Sequence, residues 1–336
     1  MSNIGNGSSP NIVVLDGYTT TAAAADGTAA SGEPGWEGLR QLGALTVFDR
    51  TPPEQLIERA MDARVLVTNK TVLPAAVLRR LPGLKFISTL STGTDAVDLE
   101  AAATQGVVVS NVPGYSTASV AQHVLALLLE LTHRTAEHAR AVADGAWARS
   151  PDFTFRTGPL HELEGRTLGV VGFGDIGQAV ARVGVALGMH VIAHTRTERA
   201  TDLSVRFVDK DTLLRESDVV SLHCPLTDAT RGFIDGDALE LMPDHAFLIN
   251  TARGPLIDEA ALAEALSAGR LAGAGLDVLS AEPPAADHPL TGHPRAVVTP
   301  HIAWGTQAAR RRLMGVVVAN VAGFLAGQAQ NVVSGK

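Results

Sequence analysis

The chain is 336 residues long, 46% hydrophobic and 18% charged, with a formal net charge of −8 and a single cysteine, Cys224. Length over about 150 points to roughly two domains, and the apolar content excludes disorder as the dominant state. One cysteine excludes a disulfide framework, and the negative balance disfavours a nucleic-acid partner. The longest strongly apolar run, 124–131, is broken by Glu130; a spanning helix needs ~20 such residues, so no membrane segment is expected. The opening MSNIGNGSSP has neither basic residues nor an apolar stretch, so no secretory signal is expected and the chain reads as soluble and cytoplasmic.

Up to Asn111, short β-branched runs alternate with helical patterns. Segments 12–15, 45–48, 65–68, 84–87 and 107–109 read as buried strands, and 36–42, 53–61, 74–81 and 99–104 as the helices between them. Pro53 and Pro74 suit first-turn positions, and Asp98 suits an N-cap. Segment 22–25 reads as a loose loop with no assigned role. Such alternation implies crossover units and a mostly parallel sheet. A longer helix is expected over 116–132, where Val120, Val124, Leu127, Leu128 and Leu131 recur at three and four. Segment 145–159 has no period and reads as a connection. A second alternation then places strands at 168–171, 191–193, 219–222, 246–249, 274–278 and 297–299, the six of a dinucleotide-binding doubly wound fold. The last helix, 306 to about 325, is too little chain for a domain and is expected to pack on the first one. There are no internal repeats.

The first of these readings to carry chemistry is a loop. After strand 168–171 comes Gly172-Phe173-Gly174-Asp175-Ile176-Gly177, followed by a helical run. This is G-x-G-x-x-G between a strand and a helix. The first glycine permits the tight turn and the second lets the backbone approach a diphosphate. The third lets helix and strand pack closely, and the diphosphate sits on the helix N-terminus. A carboxylate about 20 residues beyond the motif normally takes the ribose 2′-hydroxyl. Here the next strand runs into His194-Thr195-Arg196-Thr197-Glu198-Arg199, with Thr195 where the carboxylate is expected. Arg196 and Arg199 beside two threonine hydroxyls suit a 2′-phosphate, so NADP(H) is the preferred cofactor and NAD(H) the other possibility. The plain alternative is a solvated loop.

Three polar segments follow late strands: 250–254 (Asn-Thr-Ala-Arg-Gly), 277–283 (Asp-Val-Leu-Ser-Ala-Glu-Pro) and 299–304 (Thr-Pro-His-Ile-Ala-Trp). Ligands of open α/β sheets bind outside the carboxyl ends of strands, so all three converge on the cofactor edge. Arg253 can clamp a carboxylate, His301 can exchange a proton near neutrality, and Glu282 can hold the imidazole. Taken singly, an arginine is usually a surface ion pair, and the chain has 11 histidines. Their coincidence at strand ends carries the reading. His133 and His138 lie five apart without a carboxylate cluster, so no metal is expected. Cys224, before Pro225 at a strand end, reads as small packing near the adenine pocket.

These segments, with 223–227 (His-Cys-Pro-Leu-Thr) and 275–278 (Gly-Leu-Asp-Val), closely resemble the D-isomer-specific 2-hydroxyacid dehydrogenase family. Segment 111–117 (Asn-Val-Pro-Gly-Tyr-Ser-Thr), the following Val120-Ala121-Gln122 and Trp304 resemble its hydroxypyruvate reductase (glycerate dehydrogenase) branch. The similarity spans about residues 11–330. It implies an α/β architecture of two doubly wound parallel-sheet domains. A flavodoxin-like substrate domain would be built from 1–112 plus 300–336, with a Rossmann cofactor domain, 113–299, inserted. It also implies a homodimer paired through the cofactor domain and its linking helix. Arg253 would bind the 2-oxo-acid carboxylate and polarise the keto group, and His301, paired with Glu282, would donate the proton. The backbone N–H groups of Thr92 and Gly93 would grip the carboxylate, and Asp277 would meet the nicotinamide carboxamide. Thr230, Thr251, Ala252 and Gly305 would join Asp175, Ile176 and the loop glycines at the cofactor. The implied substrate is a small 2-oxo acid such as glyoxylate or hydroxypyruvate. Thr94 stands where the branch often has an aromatic, which bears on substrate size. An unusual oxyanion substrate (a phosphonate or a formate-like anion) and a nucleotide-sensing corepressor are the competing readings.

Overall fold

A computed structural model describes residues 9–20 and 35–335; the loop expected at 22–25 lies outside the described residues. The chain forms two compact units, Met1–Ser116 with Gly305–Lys336, and Thr117–Trp304.

In the first unit the chain runs β1 (Asn11–Val14), α1 (Glu37–Arg40), β2 (Ala44–Val47), α2 (Leu56–Ala60), β3 (Val65–Thr68), α3 (Ala75–Leu78), β4 (Phe86–Thr89), α4 (Leu99–Thr104) and β5 (Val108–Ser110). All neighbours pair in parallel in the order β2-β1-β3-β4-β5, the flavodoxin-like arrangement. Strands β3 and β4 are buried at every residue, because helices cover both faces of a parallel sheet; hence they read as unbroken apolar runs. Asp98 caps α4 by accepting from the Ala101 amide at 2.9 Å. The final helix of the chain, Gln307–Leu325, returns to this unit as expected. Phe324 stacks on Phe86 with ring centroids 4.5 Å apart, and the Asn320 amide donates to the Asn111 carbonyl at 2.9 Å.

The second unit opens with α5 (Thr117–His133) and α6 (Thr135–Ala143). It continues through β6 (Thr167–Val171), α7 (Asp175–Ala186), β7 (His190–His194), β8 (Val205–Phe207), α8 (Lys210–Glu216), β9 (Val219–Leu222) and α9 (Gly236–Leu241). It closes with β10 (Phe247–Asn250), α10 (Glu259–Ala268), β11 (Gly273–Leu276) and β12 (Ala296–Val298), and the helix after it is α11. The sheet is β12-β11-β10-β9-β6-β7-β8, parallel throughout. Chain order reverses on either side of β6, so the loop after β6 occupies the topological switch point where this fold binds nucleotides.

Two elements depart from the sequence expectation. The sheet has seven strands where six were expected; the extra one, β8, is a three-residue edge strand with an exposed Arg206 at its centre. Helix α6 was not anticipated, because none of its residues is buried and no apolar stripe marks it. Its start is held by Glu130, which accepts from the Thr135 hydroxyl at 2.8 Å. The expected stripe of α5 is buried at Val120, Val124, Leu127 and Leu128. Among the described residues no helix is long and apolar enough to cross a membrane.

Candidate active site

The glycine loop leaves β6 at Val171. Gly172 has φ +90°, and a Cβ on it would fall 2.6 Å from the Cys224 amide nitrogen, so side chains are barred by conformation and by space. A Cβ on Gly177 would lie 2.0 Å from the Gly172 carbonyl oxygen, which fixes how closely α7 abuts the loop. Gly174 differs: its Cβ would meet nothing within 4 Å. The open space there faces the N-terminus of α7, where Asp175 and Ile176 begin the helix, as a diphosphate requires. The Thr251 hydroxyl oxygen is buried without a hydrogen-bond partner among the described residues. The residues present therefore fit a dinucleotide. Gly174→Ala should fold with ordinary stability yet lose dinucleotide affinity, whereas Gly177→Ala should lower the melting temperature. Thermal denaturation and dinucleotide fluorescence titration on both variants check this contrast.

At the end of β7 the Thr195 hydroxyl donates to the Thr197 carbonyl at 3.2 Å, and Arg199 Nη1 reaches Asp175 Oδ1 at 3.4 Å. Arg196 is exposed. Beyond β9, burial pushes the His223 imidazole down to about 3, so it is neutral, with Nε2 2.8 Å from the Ser221 hydroxyl. Burial likewise pushes the Cys224 thiol up to about 11, which keeps it protonated and un-nucleophilic. Thr230 ties the adjoining turn by donating to the Pro225 carbonyl at 2.7 Å.

The polar groups beyond β10, β11 and β12 meet. Asn250 is fully buried; its side chain accepts from the Ala252 amide at 3.0 Å and donates to the Arg253 carbonyl at 2.8 Å. That bracket fixes the turn carrying Arg253, whose Nη1 donates to the Ala252 carbonyl at 2.8 Å. A Cβ on Gly254 would lie 2.0 Å from the Leu279 carbonyl carbon, so this turn rides directly on the loop that bears Glu282. Glu282 accepts from the Leu279 amide through Oε1 at 3.2 Å, and its Oε2 lies 2.7 Å from His301 Nδ1. A carboxylate only accepts, so Nδ1 carries the proton and Nε2 is the nitrogen left for a substrate. Glu259, unremarked in the sequence, fastens the same loop: it accepts from the Ser280 amide at 2.7 Å and faces His288 Nε2 at 3.2 Å.

His301 has φ +53°, a left-handed conformation that costs about 1–3 kcal/mol off glycine. Its amide donates to the carbonyls of Asp277 at 2.8 Å and Thr299 at 2.9 Å. The Asp277 side chain, implied by the resemblance to meet the nicotinamide carboxamide, is here turned onto the same segment. It accepts from the Thr299 hydroxyl at 2.6 Å and from the Ile302 and Ala303 amides at 2.9 and 2.8 Å. Burial alone would raise its pKa, but bonds from His123, Thr299, Ala303 and Ile302 outweigh it and hold the carboxyl below the usual range. His123 was missed by the sequence reading; its Nε2 lies 3.3 Å from Asp277 Oδ1.

In the first unit, the loop after β4 is braced by Thr92, which donates to the Val112 carbonyl, and by Asn111, which donates to the Thr92 carbonyl, each at 2.7 Å. Among the described residues no protein group accepts from the Thr92 or Gly93 amide. Gly305 lies where the chain re-enters this unit. Among the described residues no group of three His, Cys, Asp or Glu is gathered as a metal site would need. His138 instead takes the Thr157 amide on its Nε2 at 3.2 Å.

Residues 125–303 match the D-isomer specific 2-hydroxyacid dehydrogenase, NAD binding domain. The chain is 41% identical over 328 residues to a hydroxypyruvate reductase of Blautia hydrogenotrophica, covering 96% of this chain and 99% of that one. The fold superposes on an NADPH-dependent glyoxylate/hydroxypyruvate reductase from Sinorhizobium meliloti, in complex with NADP and malonate, with TM-score 0.80 at 28% identity over 97% of each chain. It also superposes on an NAD-dependent formate dehydrogenase from Staphylococcus aureus, in complex with NAD, with TM-score 0.82 at 27% identity over 96% of this chain and 98% of that one. With a cradle fitted to a nicotinamide dinucleotide and this likeness along nearly its whole length, the chain belongs to the D-isomer-specific 2-hydroxyacid dehydrogenase family.

Proposed function

We propose that the protein reduces small 2-oxo acids, glyoxylate and hydroxypyruvate first, to D-2-hydroxy acids, with NADP(H) preferred over NAD(H). The observation that carries this reading is the 2.7 Å contact between Glu282 and His301 Nδ1, which leaves Nε2 to protonate a forming alkoxide. Arg253 binds the substrate carboxylate and polarises the keto oxygen, and the Thr92 and Gly93 amides donate to the carboxylate. The bound dihydronicotinamide supplies the hydride that C2 receives. As the alkoxide forms, His301 gives up its proton and Glu282 stabilises the imidazolium that preceded it. The dinucleotide is assigned to the 113–299 domain, with Thr251 offering it a hydroxyl, and the substrate to 1–112 plus 300–336. The protein is proposed to act as a cytoplasmic homodimer. Of the exposed large apolar side chains among the described residues, Leu129, Val142, Trp147, Phe153 and Leu160 fall within 129–160, while Met61, Val72, Val185 and Ile302 lie elsewhere; the concentration in 129–160 supports a self-complementary interface there.

The NADP(H) preference rests on Thr195 replacing a carboxylate and on Arg196 and Arg199 beside it. The test is a panel of 2-oxo acids assayed with NADPH and NADH by nicotinamide absorbance. NADPH should give the higher kcat/KM. Replacing Arg196 by serine should narrow the gap by about ten- to a hundredfold, the worth of a charge-assisted contact of ~1.5–3 kcal/mol. Equal efficiency with both cofactors in the wild type sinks the preference. Turnover of formate or a phosphonate with no 2-oxo acid reduced would transfer the same arginine clamp to another oxyanion.

A further inference from the structure

Helix α5 grips the turn 299–303 at two places, from residues one helical turn apart. The Ser119 hydroxyl donates to the Ala303 carbonyl at 2.5 Å. His123 Nε2 lies 2.9 Å from the Thr299 hydroxyl oxygen and 3.3 Å from Asp277 Oδ1. The direction of this chain of bonds is fixed by chemistry. The Asp277 carboxylate only accepts, so the Thr299 hydroxyl gives it its one proton at 2.6 Å and must accept from His123. His123 therefore carries its proton on Nε2 and points it into the pair. Between these two anchor points sits His301, in a backbone conformation that persists only where its surroundings over-determine it.

Asp277 is the hub of that over-determination. Its backbone carbonyl takes the His301 amide, and its two carboxylate oxygens take the Ile302 and Ala303 amides. The Trp304 indole closes the turn by donating to the His301 carbonyl at 2.8 Å. The Asp277 side chain has no exposure to solvent, whereas His123 has some. Removing the His123 donor leaves the part-buried Thr299 hydroxyl and the buried Asp277 Oδ1 each short of a bond. Relief by rotation of Thr299 or Asp277 would disturb the carboxylate that takes the Ile302 and Ala303 amides directly after His301.

We propose that His123, seconded by Ser119, is a positioning residue for His301, holding its imidazole in line with Glu282; this rests on the reading of His301 as proton donor. His123→Ala should lower kcat by about 10- to 100-fold, the scale of an ångström-sized displacement of a catalytic group. The dissociation constant for the dinucleotide should stay within about threefold, because the loss falls on the chemical step. His123→Gln, whose amide can present a donor near the place of Nε2, should restore most of kcat. A second readout needs no turnover: the His301 ring resonances, assigned by their loss in His301→Asn, should be displaced in His123→Ala and restored in His123→Gln. Ser119→Ala carries the same readouts should His123→Ala not fold. The proposal is overturned if the His301 resonances are unmoved, if glutamine is no better than alanine, or if the loss is confined to the KM for dinucleotide. A wild-type protein that reduces no 2-oxo acid defeats the proposed function alone, since the resonances still decide whether His123 positions His301.

Discussion

Replacing His301 by alanine should lower kcat for reduction of a 2-oxo acid by about 10²–10⁴-fold, the usual contribution of a positioned general acid. Binding of the dinucleotide should hardly change. The imidazole is held by Glu282 through Nδ1, and nothing in the glycine loop depends on it. Stopped-flow absorbance for turnover and fluorescence titration for binding separate the two quantities. The variant also relieves a left-handed residue only in side chain, not in backbone, so the turn's bonds to Asp277 survive. A His301→Ala protein with near-normal turnover would remove the proton-donor role from the one histidine beyond β12.

The companion change, Glu282→Gln, should lower kcat by about tenfold or more, the worth of a charge-assisted contact, with dinucleotide binding hardly changed. The carboxylate stands 2.7 Å from His301 Nδ1, and a neutral amide in its place keeps the shape and gives up the charge pairing. Unchanged turnover would dissolve the partnership and leave Glu282 as a structural link to the Leu279 amide.

The parts of this protein legible in its sequence are those whose information is local. Strands β3 and β4 are buried on both faces and read as apolar runs. Helix α4 follows from Asp98 and its cap, and the glycine loop follows from its flanking strand and helix. Strand β8 and helix α6 carry no such mark, because one is a short edge and the other buries nothing. The site divides in the same way. Arg253, Glu282 and His301 are visible because each follows a strand at the edge where ligands bind. Their supports are not: His123 meets Thr299 across 176 residues of sequence, and Glu259 meets His288 across 29. Within helix α5, Ser119 and His123 look like polar interruptions of an apolar stripe, and only the turn packed on them gives them a purpose. For Asp277 the resemblance pointed at a cofactor contact, while the folded chain shows what its carboxylate holds in place.

Arg253→Lys should lower kcat/KM for a 2-oxo acid by about 10²–10³-fold, the scale seen when a preorganised donor to a developing charge is removed. Charge alone is not what lysine loses. A guanidinium offers two parallel donors in a rigid plane, which in the proposed role would serve the carboxylate and the keto oxygen, whereas an ammonium is a single mobile point. The structure gives that plane a fixed base. Nη1 is bonded to the Ala252 carbonyl, Asn250 brackets the turn from both sides, and the neighbouring Gly254 packs against Leu279. A lysine on the same rigid turn keeps the backbone and forfeits the fork, so the defect should appear with the melting temperature unchanged. The substrate can be altered in place of the protein. A methyl ester keeps the keto group and removes the anion, and it should be nearly inert with the wild type. It should also erase the difference between wild type and Arg253→Lys, because neither has a carboxylate to clamp. Paired rates for acid and ester on both proteins measure that coupling directly. If the ester were reduced as fast as the acid, the arginine would not be reading a carboxylate, and the site would be that of a general carbonyl reductase.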